Sequence, residues 1–195
     1  MIDSIGLKAS KIYPHDRLMA RTVLRLVPPS VTPNQITILR FLLTPVAVWF
    51  VHARQYDISI PFFLLVAFSD ALDGSLARVR GQVTEWGMIW DPVADKLLIA
   101  SIAVVLLFRH FPPELAVVIF GLEAIFLAGG YYWKRKGRIV SANVWGKFKM
   151  IAQVLGIALF LLFLDTGLAG FAWTSFAAFG AATVLALISF WHHGF

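Results

Sequence analysis

Six stretches of about 20 predominantly apolar residues, near 34–53, 59–79, 86–108, 113–133, 143–164 and 168–191, leave this chain little choice of fold. Each is long enough to cross the hydrocarbon core of a bilayer as a helix. In lipid the backbone must satisfy its own polar groups, so such stretches become helices rather than isolated strands. Together they occupy most of the 195 residues, and no large soluble domain fits beside them. A hydrophobic share of 59% and a mean hydropathy of +0.77 agree with lipid as the main solvent. The expected fold is an all-α membrane protein. Residues 1–30 are expected to form a juxtamembrane segment, and residues 31–195 one domain of six transmembrane helices.

A net charge of +6 raises the question of nucleic acid, but the basic residues are distributed by loop instead of forming one face. Lys8, Lys11, Arg17, Arg21 and Arg25 precede the first span, and Arg78 and Arg80 follow the second. Lys134, Arg135, Lys136, Arg138, Lys147 and Lys149 surround the connection between the fourth and fifth. The opposite connections hold only Arg54 and Arg109. By the positive-inside rule both termini face the cytoplasm, as an even number of spans requires, and no nucleic-acid partner is expected. The expected location is the cell inner (plasma) membrane, crossed several times, with the basic connections at its cytoplasmic face. The chain has no cysteine, which excludes disulfides and thiolate metal sites. Residues 1–30 lack the unbroken apolar core of a cleavable signal, so the first span is expected to act as its own insertion signal.

Within the leading segment, residues 14–27 place Leu18, Val23, Leu24 and Val27 against Arg17, Arg21 and Arg25 at a helical period. This predicts an amphipathic helix lying in the interface, its basic face among anionic headgroups. Thr32-Pro33-Asn34-Gln35 then reads as a helix start, with Thr32 as cap, Pro33 at the first helical position and Gln35 completing a capping box. Six of the seven Trp residues (Trp49, Trp86, Trp133, Trp145, Trp173 and Trp191) fall near span ends, the place of an aromatic belt. Ala128-Gly129-Gly130, Gly156 and Gly180-Ala181-Ala182 permit close helix packing, either within the chain or across a homodimer.

Charge inside a membrane is costly and usually functional. Asp3, Asp16, Asp57, Glu85, Glu114 and Asp165 lie outside the spans or at their ends, where solvation accounts for them. Asp70 and Asp73 lie in the inner half of span two, and Asp91 and Asp95 in the inner half of span three, bracketing one short turn. Asp70, Asp73, Gly74 and Ala77 share one helical stripe, and Gly87, Asp91 and Asp95 share another. Two carboxylates therefore face two carboxylates. Four such charges need compensation, and divalent metal is the natural counter-charge. All-oxygen ligation favours Mg²⁺, then Mn²⁺ or Ca²⁺, and four carboxylates suit two ions. Gly74 and Ala77 leave a bare surface for a flat base or a diphosphate, and Arg78 stands within reach of phosphate oxygens. Arg40, about two turns into span one, needs an acidic partner or a phosphate.

The run Asp70-Ala-Leu-Asp73-Gly74-Ser-Leu-Ala77-Arg78, followed by Gly87, Asp91 and Asp95, resembles the CDP-alcohol phosphotransferase signature at every defined position. The resemblance extends over essentially the whole chain, because that family also has six spans, inward termini and a leading amphipathic helix. It implies transfer of a phosphoryl-linked group from a CDP-linked lipid such as CDP-diacylglycerol to the hydroxyl of a polar alcohol, with release of CMP. By the same resemblance Asp70, Asp73, Asp91 and Asp95 hold the metal, Mg²⁺ or Mn²⁺, and Asp95 is also the catalytic base. Asp70, Gly74, Ala77 and Arg78, with Asn34 and Thr37, line the cytidine diphosphate site.

For the acceptor, Asp91-Pro92-Val93-Ala94-Asp95-Lys96-Leu97 is similar to glycerol-3-phosphate users, the phosphatidylglycerophosphate synthases. Pro33-Asn34 with Thr37 and Arg40, and Gly146-Lys147-Phe148-Lys149 with Gln153, share that similarity. Lys147, Lys149 and Arg40 are the candidate ligands of an acceptor phosphate. That branch usually carries Arg-Glu in span four where this chain has Leu122-Glu123. Cardiolipin synthase and users of other polar alcohols therefore stand as alternatives. A divalent-cation transporter is the alternative of another class. Only the isolated Glu123 lies in the outer half of the spans, so a continuous acidic relay across the membrane is missing.

Overall fold

The structure, a computed structural model, describes residues 13–112, 114, 121 and 144–194. The described residues are helical, with no strand among them. In chain order they form α1 (Pro14–Arg21), a 3₁₀ turn (Val23–Arg25), α2 (Pro33–His52), α3 (Tyr56–Val79), α4 (Glu85–His110), α5 (Val144–Thr166) and α6 (Ala169–Gly194). These boundaries match five of the six expected spans to within a few residues. The stretch at 113–133, with Glu123 and the basic connection after it, lies outside the described residues except for Glu114 and Gly121.

Four helical stretches among the described residues are long and apolar enough to cross a membrane: Pro33–His52, Tyr56–Val79, Phe148–Thr166 and Ala169–Ser189. The 26-residue α4 is longer than any of these four. Its apolar character is interrupted by Asp91, Asp95, Lys96 and Arg109, so the acidic residues that suggest function also weaken its hydropathy.

The chain divides into two compact units, Met1–Ala53 with Pro61–Ser101, and Arg54–Ile60 with Ile102–Phe195. In the first, α2 starts as its sequence dictates. The Thr32 hydroxyl accepts from the Gln35 amide at 3.4 Å, and the Gln35 side chain accepts from the Thr32 amide at 2.9 Å. Pro33 then occupies the position where a missing N–H costs nothing. Gly81, at φ +64°, supplies the left-handed residue of the turn from α3 to α4. This turn sends the chain back so that Asp91 returns beside Asp73.

The leading segment departs from expectation. A single helix over 14–27 is not what forms: α1 ends at Arg21, Thr22 breaks it, and Val23–Arg25 is a 3₁₀ turn. Leu24 is buried against Ile36 and Leu76, with Met19, Ala20, Val27, Val31 and Leu72 packed around them, whereas Leu18 is 66% exposed. Asp16 is fully buried, and the Asp16, Met19, Ala20 side of α1 faces inward.

In the second unit, α5 and α6 form a helical hairpin. Gly167, at φ +71°, makes the turn, and its amide donates to the Phe163 carbonyl at 2.8 Å. Gly156 is a close-approach position: a Cβ there would come within 2.9 Å of the Phe179 ring. Its carbonyl accepts from the buried Ser175 hydroxyl at 2.8 Å. This small residue therefore serves packing inside the chain, while a Cβ at Gly180 would meet nothing within 4 Å. Trp49, Trp86, Trp145 and Trp173 are all exposed, as interfacial anchors should be.

Candidate active site

The first unit gathers most of the polar side chains singled out in the sequence. The guanidinium of Arg40, wholly buried on α2, donates through Nη1 to Asp70 Oδ1 at 2.9 Å and through Nη2 to Asp73 Oδ2 at 2.5 Å. Its Nε donates to the Ser69 hydroxyl at 3.1 Å. All three edges of the arginine fork are thus fixed by α3. A lone cation at this depth would be prohibitively costly, and the two carboxylates on the facing helix are what make it tolerable.

Thr37, one turn before Arg40 and fully buried, links α3 to α4. Its hydroxyl oxygen lies 2.7 Å from Asp91 Oδ1, 3.2 Å from Asp73 Oδ2 and 3.3 Å from the Pro33 carbonyl. A hydroxyl has one proton, so it serves one of these acceptors at a time, and the shortest separation is to Asp91. Asp95 is buried one turn further along α4, and Asp70 lies within electrostatic reach of Asp73, Asp91 and Asp95 alike. The carboxylates face one another as their spacing demands.

Among the described residues no three acidic or imidazole side chains stand close enough to make a finished metal cage. Arg40 supplies the counter-charge instead. Asp73 Oδ1, however, is buried with no hydrogen-bond partner among the described residues. A carboxylate oxygen left in that state costs free energy that a cation would recover. The donor set, with oxygen atoms only and no sulfur or imidazole, suits a hard divalent ion. The residues present therefore fit such an ion.

Beside the carboxylates lies a cavity of about 180 Å³, walled by Asn34 on α2, Gly74, Ala77 and Arg78 on α3, Gln82 and Thr84 in the turn, and Gly87 and Asp91 on α4. Gly87 is essential to its shape. A Cβ added there would stand 3.2 Å from Thr84 Oγ1, 3.3 Å from Asp91 Oδ2 and 3.4 Å from Asn34 Oδ1, so three oxygens converge where the side chain is missing. The Thr84 hydroxyl donates to Asn34 Oδ1 at 2.9 Å and accepts from the Gly87 amide at 3.0 Å, which fixes the near wall. The amide oxygen of Gln82 is buried there and unpartnered among the described residues.

Asn34, Gly74, Ala77 and Arg78 thus line one cavity, with Asp91 at its edge. Thr37 and Asp70 stand outside its lining and tie the carboxylates to α2 instead. Lys149 lies on α5 in the other unit, and the side chain of Lys147 is outside the described residues. Two participants escaped the sequence reading. Asp16 and Ser75 are both fully buried, and Asp16 accepts from both the Ser75 hydroxyl and Arg78. Asp16 had every mark of a solvated residue at a helix start, and nothing in the sequence pairs it with a residue 62 positions away.

Burial alone would raise the Asp16 pKa. Hydrogen bonds from Arg78, Ser75 and the Tyr13 amide, and the Arg78 charge, outweigh burial and hold its carboxyl well below the usual range.

Residues 30–191 match the CDP-alcohol phosphatidyltransferase family. The chain is 31% identical to a CDP-diacylglycerol–glycerol-3-phosphate 3-phosphatidyltransferase of Bacillus subtilis (strain 168), over 67% of its own length and 76% of that protein. It is 35% identical to a Pseudomonas fluorescens protein of the same name, over 66% of its length and 71% of that protein. A shorter match, 40% identical over 37% of this chain and 38% of the other, is to an archaetidylinositol phosphate synthase of Pyrococcus horikoshii.

Proposed function

Because the chain belongs to the CDP-alcohol phosphatidyltransferase family, we propose that it transfers the phosphatidyl group of CDP-diacylglycerol to sn-glycerol 3-phosphate, yielding phosphatidylglycerophosphate and CMP. The observation that carries this reading is the adjacency, within one unit, of a carboxylate cluster and a cavity walled by Gly74, Ala77, Arg78 and Gly87. The Arg78 guanidinium and the bare faces of Gly74, Ala77 and Gly87 receive the cytidine diphosphate. The buried Gln82 oxygen offers an acceptor to a donor on the base.

In the reaction the acceptor's hydroxyl oxygen attacks the phosphorus that carries diacylglycerol. The bond from this phosphorus to the bridging oxygen of the diphosphate breaks, and CMP leaves with that oxygen. Asp95, buried beside the other carboxylates, takes the hydroxyl proton. Asp70, Asp73, Asp91 and Asp95 would hold two divalent ions, Mg²⁺ or Mn²⁺, whose charge stabilises the diphosphate and the leaving CMP. Thr37 keeps Asp91 oriented, and Arg40 holds Asp70 and Asp73 in register across α2 and α3.

The wider setting follows from the same reading: six spans in the inner membrane, both termini in the cytoplasm, α1 at the headgroup level and the reaction at the cytoplasmic face. A lipid donor then keeps its acyl chains in the bilayer while a polar acceptor enters from water. The test is purified protein with CDP-diacylglycerol, Mg²⁺ and a panel of glycerol 3-phosphate, inositol phosphate, serine and phosphatidylglycerol, read by CMP release and mass spectrometry of the lipid. Phosphatidylglycerophosphate as the main product supports the proposal. Release with another acceptor corrects the acceptor alone, and no release with any of them ends the reading.

A further inference from the structure

The first helix reaches the wall of the cavity through one side chain. Asp16 accepts from Arg78 Nε at 2.8 Å and from Arg78 Nη2 at 2.7 Å, a bidentate pair, and also from the Ser75 hydroxyl at 2.6 Å and the Tyr13 amide at 2.8 Å. The Tyr13 ring lies against the guanidinium, its centroid 5.7 Å from Arg78 Cζ. On the other side Arg78 Nη1 rests beside Gly74, where an added Cβ would stand 3.3 Å from it. The aspartate is wholly buried, while the arginine side chain remains 21% exposed and lines the cavity. One guanidinium is thus held on one edge and one face, with its Nη1 edge left beside the cavity floor.

We propose that Asp16 is a positioning residue for Arg78, holding two of its nitrogens so that the Nη1 edge is presented to a phosphate of the nucleotide. This rests on the reading of the cavity as the nucleotide site. A free arginine loses much rotamer freedom when it grips a phosphate, whereas one already clamped loses little, so the ligand keeps more of its binding energy. The clamp also partly neutralises Arg78, but a partly exposed charge is screened by water and salt, so orientation outweighs the lost attraction. Ser75 and the Tyr13 amide keep Asp16 itself in place. Through this contact α1, far from the carboxylates in sequence, becomes part of the nucleotide site.

The experiment measures CMP affinity and the KM values of both substrates for wild type, Asp16→Ala, Asp16→Asn, Arg78→Ala, Asp16→Ala/Arg78→Ala and Arg80→Ala. Arg80 is the control, because it ties the same leading segment to α3 through the carbonyls of Val27, Pro28 and Val31 without touching Arg78. The clamp predicts that Asp16→Ala weakens CMP about tenfold and raises the KM of the CDP-linked donor similarly, with the KM of the acceptor unchanged. It predicts that the double variant is no weaker than Arg78→Ala, and that Arg80→Ala lowers the melting temperature but leaves CMP affinity intact. Should Asp16→Ala not fold, Asp16→Asn carries the comparison, with a smaller loss in the same direction. The inference is overturned if wild type binds CMP and neither Asp16 variant weakens it. It is equally overturned if loss of Asp16 costs as much without Arg78, or if Arg80→Ala weakens CMP as much as Asp16→Ala. A wild type that binds no CMP refutes the nucleotide reading itself.

Discussion

Replacing Arg40 with leucine separates the two ways in which the carboxylates can be neutralised. In wild type the guanidinium bridges Asp70 and Asp73, and Asp73 is only 1% exposed, so its partner is irreplaceable by water. Asp70, with its side chain 34% exposed, is partly hydrated and contributes less. Removing one member of a buried pair typically costs about 3–5 kcal/mol, because the remaining charge is stranded. For a chain of this size that lowers the melting temperature by roughly 6–20 °C. The two stranded carboxylates are also proposed metal ligands, so Mg²⁺ should recover stability in Arg40→Leu by a larger margin than in wild type, where Arg40 already does part of the work. The assay is thermal unfolding in lipid nanodiscs across a Mg²⁺ titration, with K⁺ at matched ionic strength as control. Arg40→Leu as stable as wild type without metal would refute the counter-charge argument, and Mg²⁺ that stabilises neither protein would refute the metal assignment.

Three further outcomes follow from single contacts. Thr37→Val keeps the shape of a fully buried side chain but strands Asp91 Oδ1, and should cost about 1–3 kcal/mol in unfolding experiments and lower turnover roughly tenfold in CMP-release assays. Gly87→Ala puts a methyl 3.2–3.4 Å from three oxygens at the cavity wall and should weaken CMP by about tenfold or more in titration calorimetry, with little change in melting temperature. The Asp16 carboxyl titrates below its unfolded value, so its contribution to stability is complete above about pH 4 and is lost as pH falls below it. The stability difference between wild type and Asp16→Asn, measured by unfolding from pH 7 to pH 3, should therefore be constant down to about pH 4 and then shrink.

The long helices were legible because lipid imposes one strong rule, and four of them among the described residues are long and apolar enough to cross a membrane. The carboxylate stripes were legible for the same reason: once α3 and α4 are helices, spacing alone decides which residues share a face. The start of α2 was local chemistry, with Thr32, Pro33 and Gln35 carrying the whole signal. The N-terminal segment was expected as one helix over 14–27 and instead breaks at Thr22, and the contact from Asp16 to Arg78, across 62 residues, is one that periodicity cannot reveal. Arg40 was expected to need an acidic partner or a phosphate, and the carboxylates of Asp70 and Asp73 meet that need. That Thr37 would hold Asp91 instead of facing the cavity depended on how three helices pack, which no single helix encodes.

The account turns on divalent ions held by aspartates of α3 and α4 next to a bound cytidine nucleotide. An experimental structure of the protein with Mn²⁺ and CMP, with anomalous scattering recorded at the manganese edge, tests this directly. The account predicts manganese within coordination distance of Asp70, Asp73, Asp91 and Asp95, and CMP in the cavity lined by Gly74, Ala77, Arg78 and Gly87. Manganese absent from all four carboxylates while CMP is bound would contradict it.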